Sequence, residues 1–205
     1  MVIATDLQPL GHRLLVWQAY DPSAKVDLVS SALFTDRGTV LIDPVPLSDI
    51  SLAQLHDAGP IAGVIVTNRN HVRAAADFSA RFSIPIFAHP DSYPEEKPPQ
   101  FTPLRHSTKV FDALEVFEIS GAVPGEVALY AAADGGTFIF GDALINFEPS
   151  GFTFLPRKYC ANEKQMRQSL RQLLAKPSER MLFAHGTPIT AKAGARLREL
   201  LGSEA

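Results

Sequence analysis

This 205-residue chain has a single cysteine and no excess of basic residues. Its only cysteine, Cys160, cannot form an internal disulfide, and a lone cysteine argues against a structural zinc site. The 19 Lys and Arg residues stand against 22 Asp and Glu residues, giving a formal net charge of -3. A chain without a basic surplus lacks the charges that neutralise nucleic-acid phosphates or an anionic membrane surface. We therefore expect no nucleic acid and no membrane among its partners.

Long apolar runs are missing as well. None approaches the ~20 residues of a membrane-spanning helix, and the first residues show no basic start followed by an apolar stretch and a cleavage site. These absences predict a cytoplasmic location. The chain is 46% hydrophobic and 20% charged, which is ordinary for a folded globular protein. Its length suits one domain with a well-buried core, so a single domain over residues 1–205 is predicted.

Apolar stretches and turn residues alternate in a pattern typical of a mixed α/β protein. A hairpin is predicted from Ser31 to Ile42 around an Asp-Arg-Gly turn, and an apolar strand over Ile61–Thr67 leads into helical spacing that ends at Phe82. Further strands are predicted at 84–88, 114–119, 127–132, 137–140 and 181–184, and helices at 51–57, 162–175 and 193–202. The segment 89–109 contains five prolines and is predicted to be a long surface loop, either a lid or a plain crossover.

Polar residues follow three of the predicted strands directly. They are Asn68, Asn70 and His71 after the strand at 61–67, Asp142 after the one at 137–140, and His185 after the one at 181–184. In α/β folds, ligands gather beyond the carboxyl ends of strands, so these side chains are expected to converge on one site. One Asp and two His are side chains that ligate metals.

Five short motifs in this order and spacing resemble the metallo-β-lactamase superfamily. They are Leu41-Ile42-Asp43-Pro44, the strand ending at Thr67, Val123-Pro124-Gly125-Glu126-Val127, Phe140-Gly141-Asp142 and Phe183-Ala184-His185-Gly186-Thr187-Pro188. The resemblance covers about Ser31 to Pro188. It implies an α/β (α+β) fold, a four-layer αββα sandwich with a metal-binding cleft at one edge of its paired sheets.

In that family the strand leads into T-H-x-H-x-D-H, which supplies ligands to two metal ions, usually zinc. Here Thr67 is kept, while Asn68 and Asn70 stand in place of the first two histidines. Val72 replaces the aspartate and Arg73 the last histidine. An amide oxygen is a poor zinc ligand, valine offers none, and a guanidinium is a permanent cation. These replacements argue against the two-zinc hydrolase of the family.

Two of the family's ligands survive, the bridging carboxylate as Asp142 and the last histidine as His185. The family's remaining histidine corresponds to Ala122, and His71 falls on a variable position of the motif. Two ligands are too few for a catalytic metal, which needs about three from the protein. The cleft is therefore interpreted as a degenerate metal site, and its chemistry is left to three hypotheses.

The first hypothesis is charge substitution. Arg73 occupies the space of a lost ligand and its metal and pairs with Asp142, while Asn68, Asn70 and His185 complete a hydrogen-bonded network. A buried Asp142 without a cation would be costly, so the pair would also serve stability. No cofactor is expected under this hypothesis.

The second hypothesis is enzymatic. One zinc or other divalent ion is held by Asp142 and His185, with His71 as a third ligand only if its ring turns inward and Asn68 or Asn70 as an auxiliary ligand. Because His71 matches a variable position, we expect its ring to point outward or to support a ligand without touching the metal itself. A metal-dependent hydrolase with a single-metal site would result.

The third hypothesis is a binding module. A cleft rebuilt around Arg73 and His71 captures a small anionic ligand, since guanidinium and amide groups recognise anions well, or the fold serves a partner protein.

Overall fold

The structure, a computed structural model, describes residues 2–202 and places two β-sheets face to face. The first sheet has seven strands whose spatial order follows the sequence: β1 (Gln8–Pro9), β2 (Leu14–Asp21), β3 (Val26–Thr35), β4 (Gly38–Ile42), β5 (Ile61–Val66), β6 (Ile86–Ala88) and β7 (Phe101–Pro103). The second sheet has the order β14-β11-β10-β9-β8 and is built from β8 (Lys109–Val110), β9 (Leu114–Glu118), β10 (Val127–Ala131), β11 (Thr137–Phe140) and β14 (Arg180–Phe183). A separate hairpin joins β12 (Leu144–Phe147) to β13 (Gly151–Phe154).

Alternating side chains explain why the first sheet is buried on both faces. Successive residues of a strand point to opposite faces. On β4, Val40 and Ile42 lie in the core between the sheets, where residues such as Leu129 of the second sheet meet them. Leu41 points the other way, into a cluster beneath the helices.

Four α-helices cover the outer faces: α1 (Asp49–Asp57), α2 (Ala75–Phe82), α3 (Glu163–Leu170) and α4 (Ala193–Gly202). Leu52 of α1 and Phe78 of α2 pack in the cluster on the first sheet. Met166 of α3 and Leu197 of α4 pack on the second sheet. The layers are therefore helix, sheet, sheet, helix, and the predicted αββα sandwich is confirmed.

Some predicted elements differ from those observed. The helix predicted over 162–175 is α-helical only to Leu170 and then tightens into a 3₁₀ helix. The prediction of a loop without regular structure at 89–109 is wrong in part, because β7 pairs there in parallel with β6. The β12–β13 hairpin was not predicted. Within residues 2–202, no helix has both the length and the apolar character needed to cross a membrane.

The topology brings several strand ends to one edge of the sandwich. β4 and β5 run parallel in the first sheet, as do β11 and β14 in the second. The two sheets touch at this edge, where the amide of Val29 donates to the carbonyl of Ala184 at 2.9 Å. Residues that follow these four strands therefore share one cleft.

Candidate functional site

His71, Asp142 and His185 bring three potential ligand atoms together in this cleft. The Nε2 atom of His71 lies 3.3 Å from Oδ1 of Asp142 and 3.4 Å from Nε2 of His185. The Nε2 atom of His185 lies 3.4 Å from the same Oδ1, so the three atoms form a nearly equilateral triangle. His71 and Asp142 are buried, whereas His185 is partly exposed and leaves the triangle open on one side.

The ring of His71 is oriented through its other nitrogen. Its Nδ1 lies 3.0 Å from both Oδ2 of Asp43 and Oγ1 of Thr67. The Thr67 hydroxyl donates its own proton to the Asp43 carboxylate, so both oxygens accept from Nδ1–H. A second carboxylate contact from the Thr67 amide fixes Asp43 itself. This arrangement directs Nε2 of His71 toward Asp142.

Asp142 and His185 are held in a similar way. Oδ2 of Asp142 accepts the side-chain amides of Asn68 at 3.1 Å and Asn70 at 3.2 Å, which leaves Oδ1 facing the two imidazoles. The Nδ1 of His185 lies 3.1 Å from the backbone carbonyl of Asp27 and donates to it. Such outer contacts are what orient ligands around a metal.

The donor set fits a single divalent cation. If both imidazoles are neutral and donate through Nδ1, each presents a lone pair at Nε2. These two lone pairs and the Oδ1 atom of Asp142 then face one another, and their mutual repulsion requires a proton or a cation between them. Ligands about 2.0–2.2 Å from a tetrahedral zinc ion lie about 3.3–3.6 Å apart. The observed separations of 3.3, 3.4 and 3.4 Å match that spacing.

A proton competes for the same place. Burial alone would lower the pKa of His71, but the carboxylates of Asp142 and Asp43 outweigh it and raise the pKa to about 9. Burial likewise favours a protonated Asp142, yet His71 and the hydrogen bond from His185 lower the pKa of its carboxyl group. In ion-free protein the imidazolium of His71 therefore balances Asp142, and a metal must displace its proton.

The expected ion pair between Arg73 and Asp142 is wrong. Nη1 of Arg73 donates to the carbonyls of Val29 at 2.6 Å and Asp43 at 2.8 Å, and Nη2 donates to the carbonyl of Ala184 at 3.4 Å. The guanidinium thus ties β3, the end of β4 and the end of β14 together. It attracts Asp142 electrostatically without a hydrogen bond to it, and its role in the described structure is that of a clamp on three backbone segments.

The expected outward orientation of His71 is also wrong. The segment Arg69–His71 forms a 3₁₀ turn that Asn68 caps by accepting the amide of Asn70 at 2.8 Å, and the tight turn rotates His71 into the core. Neither Asn68 nor Asn70 presents an oxygen to the triangle, because both donate N–H to Asp142. Sequence reasoning brought the right residues to the cleft and expected the hydrogen bonds of Asn68 and Asn70, but it gave Arg73 the wrong partner and His71 the wrong orientation.

Three contributing residues were not predicted as part of the site: Asp43, Thr67 and Glu126. Asp43 and Glu126 are buried carboxyls beside apolar strands, and each stands in a motif of the family resemblance. A charged residue enclosed by apolar sequence is the signal that could have identified them, since such groups are seldom buried without a partner.

Glu126 lies next to the triangle on the inner side. Its Oε2 accepts the Asn68 amide at 2.6 Å and its Oε1 accepts the backbone amide of Ala143 at 3.0 Å. Burial, reinforced by the charge of Asp142, raises the pKa of Glu126 from 4.5 to about 8. The Asn68 amide therefore bridges two carboxyl groups, of which Glu126 is the one whose surroundings favour the protonated form.

The raised pKa of Glu126 predicts that the free energy of unfolding of metal-free protein falls as the pH rises. Glu126 binds its proton more tightly in the folded chain, so its contribution is complete below its ordinary pKa of 4.5 and is lost as the pH rises to about 8. His71 adds a loss of the same sign between 6.5 and about 9. In metal-free protein, Glu126→Gln should reduce the decline in unfolding free energy between pH ~5 and ~8 by more than about 1 kcal/mol. Urea unfolding at the two pH values measures it, and an unchanged decline in the variant would contradict the assignment.

A cavity of about 720 Å³ opens from the triangle to the surface. Its floor carries Asn70, His71, Asp142 and His185, and apolar side chains from β3 and β12 form its sides. Its size is typical of a site for a small molecule.

Comparison with known proteins agrees with this architecture. The family model described as the metallo-beta-lactamase superfamily matches residues 10–203. The DIM-1 metallo-beta-lactamase structure is similar with a TM-score of 0.77, 15% identity and 100% coverage of both chains. A metallo-beta-lactamase from Pontibacter korlensis gives a TM-score of 0.74 at 14% identity, again with 100% of both chains covered. A beta-lactamase domain protein from Burkholderia ambifaria gives 0.71 at 17% identity, covering 97% of this chain and 72% of that one.

No match was found among curated proteins. At these identities the solved structures establish the fold alone. The family model spans nearly the whole sequence, and with it the chain belongs to the metallo-β-lactamase superfamily.

Proposed function

We propose that the cleft binds one divalent metal ion through His71, Asp142 and His185, and that the protein is a mononuclear metal-dependent hydrolase. The observation that carries this proposal is the triangle of ligand atoms, with separations of 3.3, 3.4 and 3.4 Å. Three protein ligands with one open position form the arrangement of a catalytic rather than a structural zinc site. The inward His71 supplies the third ligand that the sequence comparison lacked.

A single ion is favoured over two. Among residues 2–202, one group of His, Cys, Asp and Glu side chains has the spacing to hold a metal, and it is this triangle. The space toward Glu126 is occupied by the Asn68 amide, which donates to both Glu126 and Asp142. An N–H donor at that place satisfies both carboxyl groups without a second cation.

The chain's own residues prepare the site for hydrolysis. A bound divalent ion would act as a Lewis acid and lower the pKa of a coordinated water molecule to ~7. By accepting Nδ1–H, Asp43 and Thr67 fix the orientation of the His71 ring, so that Nε2 is the nitrogen that would face a bound ion. Asn68 and Asn70 hold the Asp142 carboxylate in one orientation, and Asn70 also lies on the cavity floor where substrate enters.

The proposal predicts metal-dependent hydrolysis. Chelator-treated protein should cleave a panel of p-nitrophenyl esters and lactones at least about 100-fold more slowly than protein reloaded with zinc, manganese or ferrous iron, because the nucleophilic water is no longer activated. His185→Ala should stay inactive after reloading. His89→Ala is the matched control, since His89 lies outside the triangle and lines a different cavity.

Initial rates before chelation, after chelation and after reloading give the comparison. Equal rates in all three states for wild-type protein would contradict the proposal, as would full activity in His185→Ala. Hydrolysis of esters that is lost equally in His89→Ala would point to a general effect of removing histidine.

A further inference from the structure

The apolar residues that line the cavity indicate which kind of substrate it can hold. Val26 and Leu28 are alternate residues of β3 and therefore share one face of that strand. Ile145 and Phe147 are alternate residues of β12 and line the same cavity, as does Leu155. We name these five residues the apolar slot. It rises from a polar floor at the metal-ligand triangle.

The five slot residues are uncharged, whereas the rest of the cavity lining includes Asp21, Lys25, Arg73 and Asp142. Among the described residues that line the cavity, Lys25 and Arg73 are the basic side chains. Lys25 is exposed at the tip of the β2–β3 hairpin, and the guanidinium of Arg73 is engaged by three backbone carbonyls. Phosphoryl and sulfuryl groups are bound by available cations or free backbone amides. Lys25 is thus the accessible cation of the cavity and lies at the hairpin tip, away from the metal-ligand triangle in sequence, whereas the five slot residues offer methylene and aromatic surface.

We propose that the apolar slot takes the acyl chain of an uncharged ester or lactone, with the acyl carbon at the triangle. This inference rests on the proposed hydrolase function and names its substrate class as hydrophobic acyl esters. Water adds to the acyl carbon, the bond from that carbon to the alkoxy oxygen breaks, and the alkoxy oxygen takes a proton from the water. The products are a carboxylic acid, which ionises, and an alcohol, so the small anionic ligand of the cleft is the carboxylate product.

The test is a calorimetric binding series with acetate, butyrate, hexanoate and octanoate. Each methylene buried in the slot should tighten binding about three- to fourfold, whereas the carboxylate contact stays constant along the series. The series is measured on metal-loaded and on chelator-treated wild-type protein. The dependence on chain length reports the slot, and the change on chelation reports the metal.

Two variants locate the effect without disturbing the core. Val26→Asn and Phe147→Ser alter partly exposed slot residues and should weaken octanoate binding about tenfold or more while changing acetate binding little. Ile50→Ser is the matched control, because Ile50 is 75% exposed on α1 and does not line the cavity. Affinity that does not depend on chain length, or equal losses in Ile50→Ser, would overturn the inference.

The two proposals fail in different ways. A chain-length dependence that persists when chelation changes nothing supports the slot and contradicts the metal-dependent function. Binding that requires metal but ignores chain length supports the function and overturns the assignment of hydrophobic acyl esters.

Discussion

Arg73→Ala is expected to lower the free energy of unfolding by about 3–5 kcal/mol. The guanidinium satisfies the carbonyls of Val29, Asp43 and Ala184, which belong to three separate segments at the edge of the sandwich. Its removal leaves these groups without their charged donor and removes a buried cation that attracts the Asp43 and Asp142 carboxylates. Urea unfolding monitored by circular dichroism gives the difference.

Two further variants make this result specific. Arg69→Ala removes an exposed arginine two residues from His71 and should change stability by less than about 0.5 kcal/mol. Arg73→Lys keeps the charge but cannot reach three carbonyls from one ammonium group, so an intermediate loss is expected. An Arg73→Ala protein as stable as Arg69→Ala would show that the clamp contributes nothing.

His71→Ala is expected to weaken metal binding by more than about 100-fold, and Asp43→Asn by about 10- to 100-fold. The first change removes one of three ligands. The second removes the carboxylate that accepts Nδ1–H and fixes the ring at 3.0 Å. Competition against a fluorescent zinc chelator measures both affinities.

The order of these two losses matters. An indirect role for Asp43 requires that its variant loses less affinity than His71→Ala, since the ligand itself remains. His89→Ala should bind as wild type does. Undiminished binding by His71→Ala would remove His71 from the ligand set and return the site to two ligands.

Much of the fold follows from patterns that are local in the sequence. Apolar runs such as Ile61–Val66 indicate buried strands, and the Asn162 cap with its bond to the amide of Gln165 marks the start of α3. The convergence of Asn68, Asp142 and His185 was predictable because strand ends share an edge. The β12–β13 hairpin was not predicted, because its short strands lack a long apolar run and form a small separate sheet.

The hydrogen-bond partners of Arg73 and His71 could not be predicted from local sequence patterns. Arg73 adopts a positive φ of 34°, a rare backbone conformation for a residue with a side chain, and the turn before it rotates His71 inward. Both features depend on how residues 68–73 pack against β3 and β14, which are distant in sequence. Charge alone suggested a bond between Arg73 and Asp142, whereas backbone carbonyls lie closer to the guanidinium.

The metal content of tag-free protein, measured by inductively coupled plasma mass spectrometry beside Asp142→Ala, tests the central claim most directly. Asp142 Oδ1 is the atom that both imidazoles approach, at 3.3 and 3.4 Å, so its removal dismantles the triangle. The account predicts about one divalent ion per chain in wild-type protein reloaded with zinc and less than about one tenth of that in the variant. An equal content in the two proteins, or none in either after reloading, would contradict it.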